Sequence, residues 1–225
     1  MKTLWLLLLA CASATAQNWV PTFTEEFNGR EVDLSKWTLH DPLSSLPDQS
    51  ATGAVTVSGG QLHLASQRNP DTGRGRGSCI ITTYGMFAQR YGRFEIRFRA
   101  PSESGMRSQF VLLPVPDGTL PKIEVLQAAE PRKVRFANQW GTDQTARSYG
   151  DTFTVADLSN GFHTASIEWE HDHITWFLDG KKTFESRDGV PQQAMYLVMD
   201  LTWSGDHAGS SFDIDYVRVY KRAEQ

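Results

Sequence analysis

Short segments in which hydrophobic and polar residues alternate recur along the chain. Residues 93–99, 165–169 and 174–178 alternate cleanly, and residues 212–220 form a similar segment near the C-terminus. A period of two is typical of β-strands with one buried face. The pair Asp179–Gly180 follows the third segment and favours a tight type I′ hairpin. We therefore predict an all-β fold, an antiparallel sandwich of two packed sheets.

The size and charge of the chain narrow the class of protein further. A chain of 225 residues without an internal repeat or linker suits one all-β domain. A formal net charge of −4 argues against nucleic acid as the main partner, because phosphate binding needs a clear basic excess. We expect a monomer.

The first residues have the features of an export signal. Lys2 supplies a positive charge, residues 4–10 are apolar, and Ala14-Thr15-Ala16 is a small-residue cleavage site. The apolar run is too short to span a membrane, which takes about 20 residues. We therefore predict a signal peptide over residues 1–16 and a single mature domain over 17–225, secreted or periplasmic. The alternative is a lipoprotein anchored at Cys11, because residues 8–11 (LLAC) resemble a lipobox.

Cleavage after residue 16 would leave Cys79 as the single cysteine of the mature chain, so no intramolecular disulfide could form. Cys79 opens an apolar run, Cys79-Ile80-Ile81, and we expect a buried, unreactive thiol.

Five blocks in order resemble glycoside hydrolase family 16. They are residues 23–29 (FTEEFNG), 34–37 (LSKW), 91–97 (YGRFEIR), 162–180 (FHT, EW, W and DG at the family's spacing) and 215–220 (DYVRVY). The resemblance implies a concanavalin-like β-jelly roll with an open sugar cleft on one sheet. It also implies that the chain is related to retaining endo-glycanases, which act on β-1,3- or mixed-linkage glucans and require no cofactor.

The catalytic signature that the resemblance predicts is substituted. The family's E-x-D-x-x-E corresponds here to Lys122-Ile123-Glu124-Val125-Leu126-Gln127, and a β-bulge must bring the third position onto the face of the first two. Lys122 stands at the nucleophile position, where an ammonium cannot attack a sugar carbon. Gln127 stands at the acid/base position, where an amide has no titratable proton. Glu124 alone keeps a carboxylate, and we expect Lys122 to pair with it.

The cleft wall is also altered. The family's G-x-W-P-A-F-W corresponds to residues 105–111 (GMRSQFV), which places Arg107 at one of the two lost Trp positions. Gln139 stands at a His position of the neighbouring strand. Trp140 and Trp203 are candidate sugar platforms, each with a core role as the alternative. Arg97 could reach the cleft, or could form a plain cross-strand ion pair.

A structural calcium, common in the family, would use the carbonyl of Gly60 and the carboxylate of Asp215. A single carboxylate is a weak basis for such a site.

Three functions follow from these residues. The first is an extracellular polysaccharide-binding protein without retaining hydrolase activity, whose ligand is a β-glucan or an anionic glycan. The second is a divergent glycoside hydrolase that uses Glu124 in another arrangement. The third is a secreted interaction domain with no sugar ligand.

Overall fold

The computed structural model describes residues 19–39, 55–66, 76–116, 118–142, 144–204 and 209–223. The predicted signal peptide, Cys11 and the first residues of the predicted domain lie outside these ranges. The strands of the described part are β1 Trp19–Glu25, β2 Val55–Ser58, β3 Gln61–Ala65, β4 Arg76–Thr82, β5 Gly92–Arg99, β6 Met106–Pro114, β7 Lys122–Glu130, β8 Lys133–Trp140, β9 Arg147–Thr154, β10 His163–Trp169, β11 Ile174–Leu178, β12 Lys181–Ser186, β13 Met195–Ser204 and β14 Ser211–Arg222.

The strands form two antiparallel sheets. The eight-stranded sheet has the order β12-β11-β10-β5-β14-β3-β2, with β1 paired to β14. The six-stranded sheet has the order β4-β13-β6-β7-β8-β9. The predicted all-β sandwich is thus confirmed. Within the described residues, no helix is long and apolar enough to cross a membrane.

The alternating segments form strands with the predicted buried faces. Ile96 and Phe94 of β5 lie opposite Ala165 and Ile167 of β10, and all four are fully buried. Asp179 and Gly180 have φ values of 50° and 75°, as a type I′ turn between β11 and β12 requires. Alternation thus identified both the strand type and the core-facing residues.

The core lies between the two sheets, and Cys79 belongs to it. Cys79 of β4 is fully buried opposite Leu201 of β13. Burial raises the pKa of the Cys79 thiol far above its ordinary value, and the nearby charge of Asp200 adds to this effect. The expected buried thiol is confirmed.

Candidate functional site

A β-bulge in β7 gathers the three signature residues on one face of the six-stranded sheet. Glu124 lies opposite Val111 of β6 and Gln127 lies opposite Gln109, so one extra residue of β7 is absorbed between them. As a result Val125 and Leu126 both enter the core. Lys122, Glu124 and Gln127 project from the opposite face, away from the core, which we call the outer face. The predicted bulge is confirmed.

Glu124 is enclosed by donors on this outer face. Its side chain is only 3% exposed, and its Oε1 lies 3.2 Å from Nζ of Lys122. The same oxygen accepts a hydrogen bond from Nε2 of Gln139 at 2.7 Å. Its Oε2 accepts one from Nε of Arg135 at 3.1 Å. The expected Lys122–Glu124 pair is confirmed, and Arg135 makes it a triad of two cations around one carboxylate.

Two neighbouring strands extend the polar part of the outer face. Gln127 lies in register with Gln109 of β6 on one side and with Arg135 of β8 on the other. Nε2 of Gln109 donates to both carboxylate oxygens of Asp200 in β13, at 3.1 and 3.0 Å. Arg107 of β6 lies opposite Thr202, on the same face as Gln109, and is exposed. Lys122, Gln127, Gln139 and Arg107 therefore share the outer face, and their contact with a ligand stays a prediction.

Another part of the outer face is apolar and buried. Val111, Tyr196 and Val198 form a small cluster that is at most 4% exposed. Ile80, Tyr84 and Leu113 pack against it. No tryptophan of the described residues projects from this face, so the face offers no indole platform.

Arg97 does not reach this face, and its predicted role in the cleft is wrong. It belongs to β5, a strand of the other sheet. Its guanidinium pairs with the carboxylate of Asp215 on the neighbouring β14 and lies 5.0 Å from the ring centre of Phe162. The cross-strand ion pair was the correct alternative.

The two candidate tryptophan platforms are wrong for a similar reason. Trp203 is 7% exposed and lies in the main core cluster. Trp140 is on β8 next to Gln139, and adjacent strand residues face opposite sides of a sheet. Its ring packs against Gly189, where a Cβ would lie only 1.9 Å from Cδ2 of Trp140. Both rings therefore serve packing.

The residues predicted for calcium do not fit that ion. The carboxylate of Asp215 is already neutralised by Arg97. Gly60 lies in the tight turn between β2 and β3, with a φ of 75°. Calcium takes six to eight oxygen ligands, and the described residues contain no group of three His, Cys, Asp or Glu placed to hold a metal.

The sequence reasoning missed Arg135 and Asp200. Arg135, Ala137 and Gln139 alternate along β8 with the buried Val134, Phe136 and Asn138. This alternation places Arg135 on the face of Gln139, so the signal was present in the sequence. Asp200 gave no such signal, because Tyr196 and Val198, which share its face of β13, are apolar and buried like the core-facing residues between them.

Two of the three signature positions of the outer-face site carry hydrogen-bond donors in place of carboxyl groups. Retaining hydrolysis needs two carboxyl groups about 5–5.5 Å apart. Here both oxygens of Glu124 are engaged by cationic or amide donors. Positions 122 and 127 carry an ammonium and an amide, which donate hydrogen bonds but provide neither nucleophile nor acid.

Comparison with known proteins agrees with the fold. A family model described as glycosyl hydrolases family 16 matches residues 48–218. The endo-1,3-1,4-β-glycanase ExsH of Rhizobium meliloti is 28% identical over 195 residues, which cover 80% of this chain and 41% of that protein. The glucan endo-1,3-β-glucosidase A1 of Niallia circulans is 25% identical over 257 residues, covering 88% of this chain and 37% of that protein. The chain thus spans less than half the length of these two relatives.

Solved structures show the same fold at low identity. The laminarinase from Rhodothermus marinus superposes with a TM-score of 0.77 at 24% identity, covering 92% of this chain and 99% of that one. The catalytic domain of an endo-1,3-β-glucanase from Thermotoga petrophila superposes with a TM-score of 0.74 at 20% identity, covering 92% and 100%. These neighbours support a jelly-roll sandwich.

Proposed function

The chain belongs to the glycosyl hydrolases of family 16, and we propose that it binds a polysaccharide on the outer face of the six-stranded sheet. It does so without cleaving the polymer by the retaining mechanism. The observation that carries this proposal is the enclosure of Glu124 by Lys122, Arg135 and Gln139. A carboxylate whose two oxygens are occupied in this way is poorly placed to attack a sugar carbon or to deliver a proton. One relative is by name a glucan endo-1,3-β-glucosidase and the other an endo-1,3-1,4-β-glycanase, which makes a β-glucan the reference ligand.

The test combines binding and turnover on the same samples. Affinity electrophoresis through gels containing β-1,3-glucan, mixed-linkage glucan or an acidic polysaccharide should show retardation by at least one of them. A reducing-sugar assay on the same polymers should show no release above a heat-denatured sample. Gln127→Ala removes an amide from the outer face and should weaken binding about two- to tenfold, the range for one hydrogen bond.

The matched control is Lys181→Gln, an exposed position on β12 of the other sheet. This variant should bind like the wild type. If no polysaccharide retards the protein, the proposed function fails.

A second candidate function is hydrolysis by a divergent pair of carboxylates, and Asp200 is the observation that favours it. Asp200 and Glu124 share the outer face, two strands and two residues apart. Regular sheet spacing separates their backbones by about 12 Å. Inverting hydrolysis needs carboxyl groups roughly 6.5–9.5 Å apart. Glu124 is held toward β8, the side away from Asp200, and this favours binding over turnover.

The divergent hydrolase makes its own prediction. Wild-type protein would then release reducing sugar, and either Glu124→Gln or Asp200→Asn would abolish the release. Such a result would replace the binding proposal with the enzyme. A release that survives both substitutions would point to a contaminating glucanase and leave the binding result to decide.

We also propose that the protein is exported and acts as a monomer. The positive charge, apolar run and cleavage site in residues 1–16 support export. Mass spectrometry of the protein from its native host should find Gln17 at the mature N-terminus. A lipid-modified Cys11 would establish the lipoprotein alternative instead. Sedimentation equilibrium checks the monomer.

A further inference from the structure

The described part of the outer face carries more positive than negative charge. Arg107, Lys122 and Arg135 project from it, against the carboxylates of Glu124 and Asp200. Lys133 is also present at the end of β8 but pairs with Glu130 at 3.0 Å. These groups leave an excess of one cation on the described part of the face, and the local field there favours an anionic ligand.

Arg107 is a strand residue with an uncommitted guanidinium. Its register opposite Thr202 fixes it on the outer face. Its side chain is exposed, and among the described residues it makes no ion pair or hydrogen bond. It therefore has its five N–H donors available to a ligand.

Lys122 and Arg135 also keep donors beyond those that Glu124 uses. Nζ of Lys122 has three hydrogens and makes one described contact, with Glu124. Arg135 uses Nε for Glu124 and Nη2 for Ser148 at 3.2 Å. One carboxylate neutralises only one of the two cations, so the triad retains a net positive charge.

Gln127 adds an amide donor between the two arginines. It is in register with Arg135 on β8 and with Gln109 on β6, and Gln109 is two residues from Arg107. Regular sheet spacing puts the backbones of Arg107 and Arg135 about 12 Å apart, with Gln127 between them. Arginine binds carboxylate and sulfate groups through paired hydrogen bonds.

We propose that this outer-face site selects an anionic polysaccharide, one that bears carboxylate or sulfate groups, over a neutral glucan, with Arg107, Gln127 and Arg135 contacting the charged groups. The inference rests on the proposed function, since it names the ligand class of the same site. The net charge of −4 on the whole chain does not oppose it, because recognition depends on the local field.

The test compares ligands that differ only in charge. Titration calorimetry would measure the binding of a β-1,3-glucan and of its carboxymethylated and sulfated derivatives, each at about 0.02 M and about 0.3 M salt. One added charged hydrogen bond corresponds to an affinity gain of about tenfold or more, so at least one derivative should exceed the neutral polymer by that factor at low salt. The gain should shrink at high salt, where the screening length falls below about 6 Å.

Variants separate a specific site from general attraction to a polyanion. Arg107→Gln should lower the affinity for the charged derivative about two- to fivefold, as expected for an exposed charge, and so reduce its advantage over the neutral polymer. Lys181→Gln removes the same charge from the other sheet and should have no effect. An equal loss in both variants would overturn the proposal by showing non-specific attraction.

Two further outcomes distinguish the inference from the function on which it rests. Equal affinity for neutral and charged polymers, with no salt dependence, would contradict the preference for anionic polymers. The proposal of polysaccharide binding would still stand. Absence of binding to every polymer would overturn both. Comparison of the carboxymethyl and sulfate arms identifies which anionic group the site accepts.

Discussion

Nε of Arg135 donates a hydrogen bond to Oε2 of Glu124 at 3.1 Å, and this contact joins two strands of the six-stranded sheet at the centre of the outer face. The carboxylate is buried, whereas 31% of the arginine side chain is exposed. The contact therefore stabilises a buried charge, and its contribution to the free energy of unfolding can be measured by substituting Arg135.

Arg135→Met should lower the free energy of unfolding by about 1–3 kcal/mol, because Glu124 would lose one of its charged donors while remaining buried. Lys122 and Gln139 still contact the carboxylate, which limits the loss. Urea unfolding measures the change. Arg187→Met removes an ion-paired arginine that is 62% exposed and should cost under about 0.5 kcal/mol. Equal values for the two variants would contradict a structural role for the Arg135 contact.

Asp213 should make the fold sensitive to acid. Burial raises the pKa of Asp213, but hydrogen bonds from Ser211, His63 and Arg99 outweigh it, so the pKa lies below its ordinary value. A carboxyl with a depressed folded-state pKa contributes stability above the unfolded pKa of about 3.9. That stability is lost as the pH falls through the folded-state pKa.

The measurement is the melting temperature between about pH 2 and pH 5, a range that begins above the unfolded-state pKa of Asp213 and continues below it. The wild type should lose stability steeply below about pH 4, and Asp213→Asn should show a shallower slope from a lower starting value. Asp151→Asn, at an exposed position on β9, should keep the wild-type slope. Parallel curves for all three proteins would show that Asp213 does not contribute.

Cys79 should resist thiol reagents in the folded protein. The side chain is fully buried and burial raises its pKa, so very little thiolate exists at neutral pH. Ellman's reagent should leave Cys79 unmodified under native conditions and label it completely in urea. Rapid native labelling would mean that β4 separates from the core far more often than its packing implies.

Gly189→Ala should destabilise the protein by about 3 kcal/mol or more, because two costs combine. Gly189 has a φ of 58°, and an added Cβ would lie 1.9 Å from Cδ2 of Trp140. Gly59→Ala is the matched control, since Gly59 has a φ of 60° but nothing within 4 Å of an added Cβ. The control carries only the backbone cost, about 1–2 kcal/mol. Equal losses would mean that the Trp140 ring moves aside freely.

Much of the fold could be predicted because alternation is a local signal. The polar and apolar positions of residues 93–99 identified the buried face of β5 correctly. The same signal, read along β8, places Arg135 beside Gln139 and turns Trp140 to the opposite face. The sequence of β8 therefore contained the information that places both residues.

By itself, then, the sequence determined which alternating segments form strands, the core-facing residues of those segments and the position of the bulge in β7. It did not determine which sheet a strand joins, because that depends on hydrogen bonds between residues far apart in the chain. Arg97 and Arg107 are both polar-face arginines of strands, yet β5 lies in one sheet and β6 in the other. Only tertiary pairing brought Arg135 to Glu124 and sent Arg97 to Asp215, and so decided which charges share the outer face.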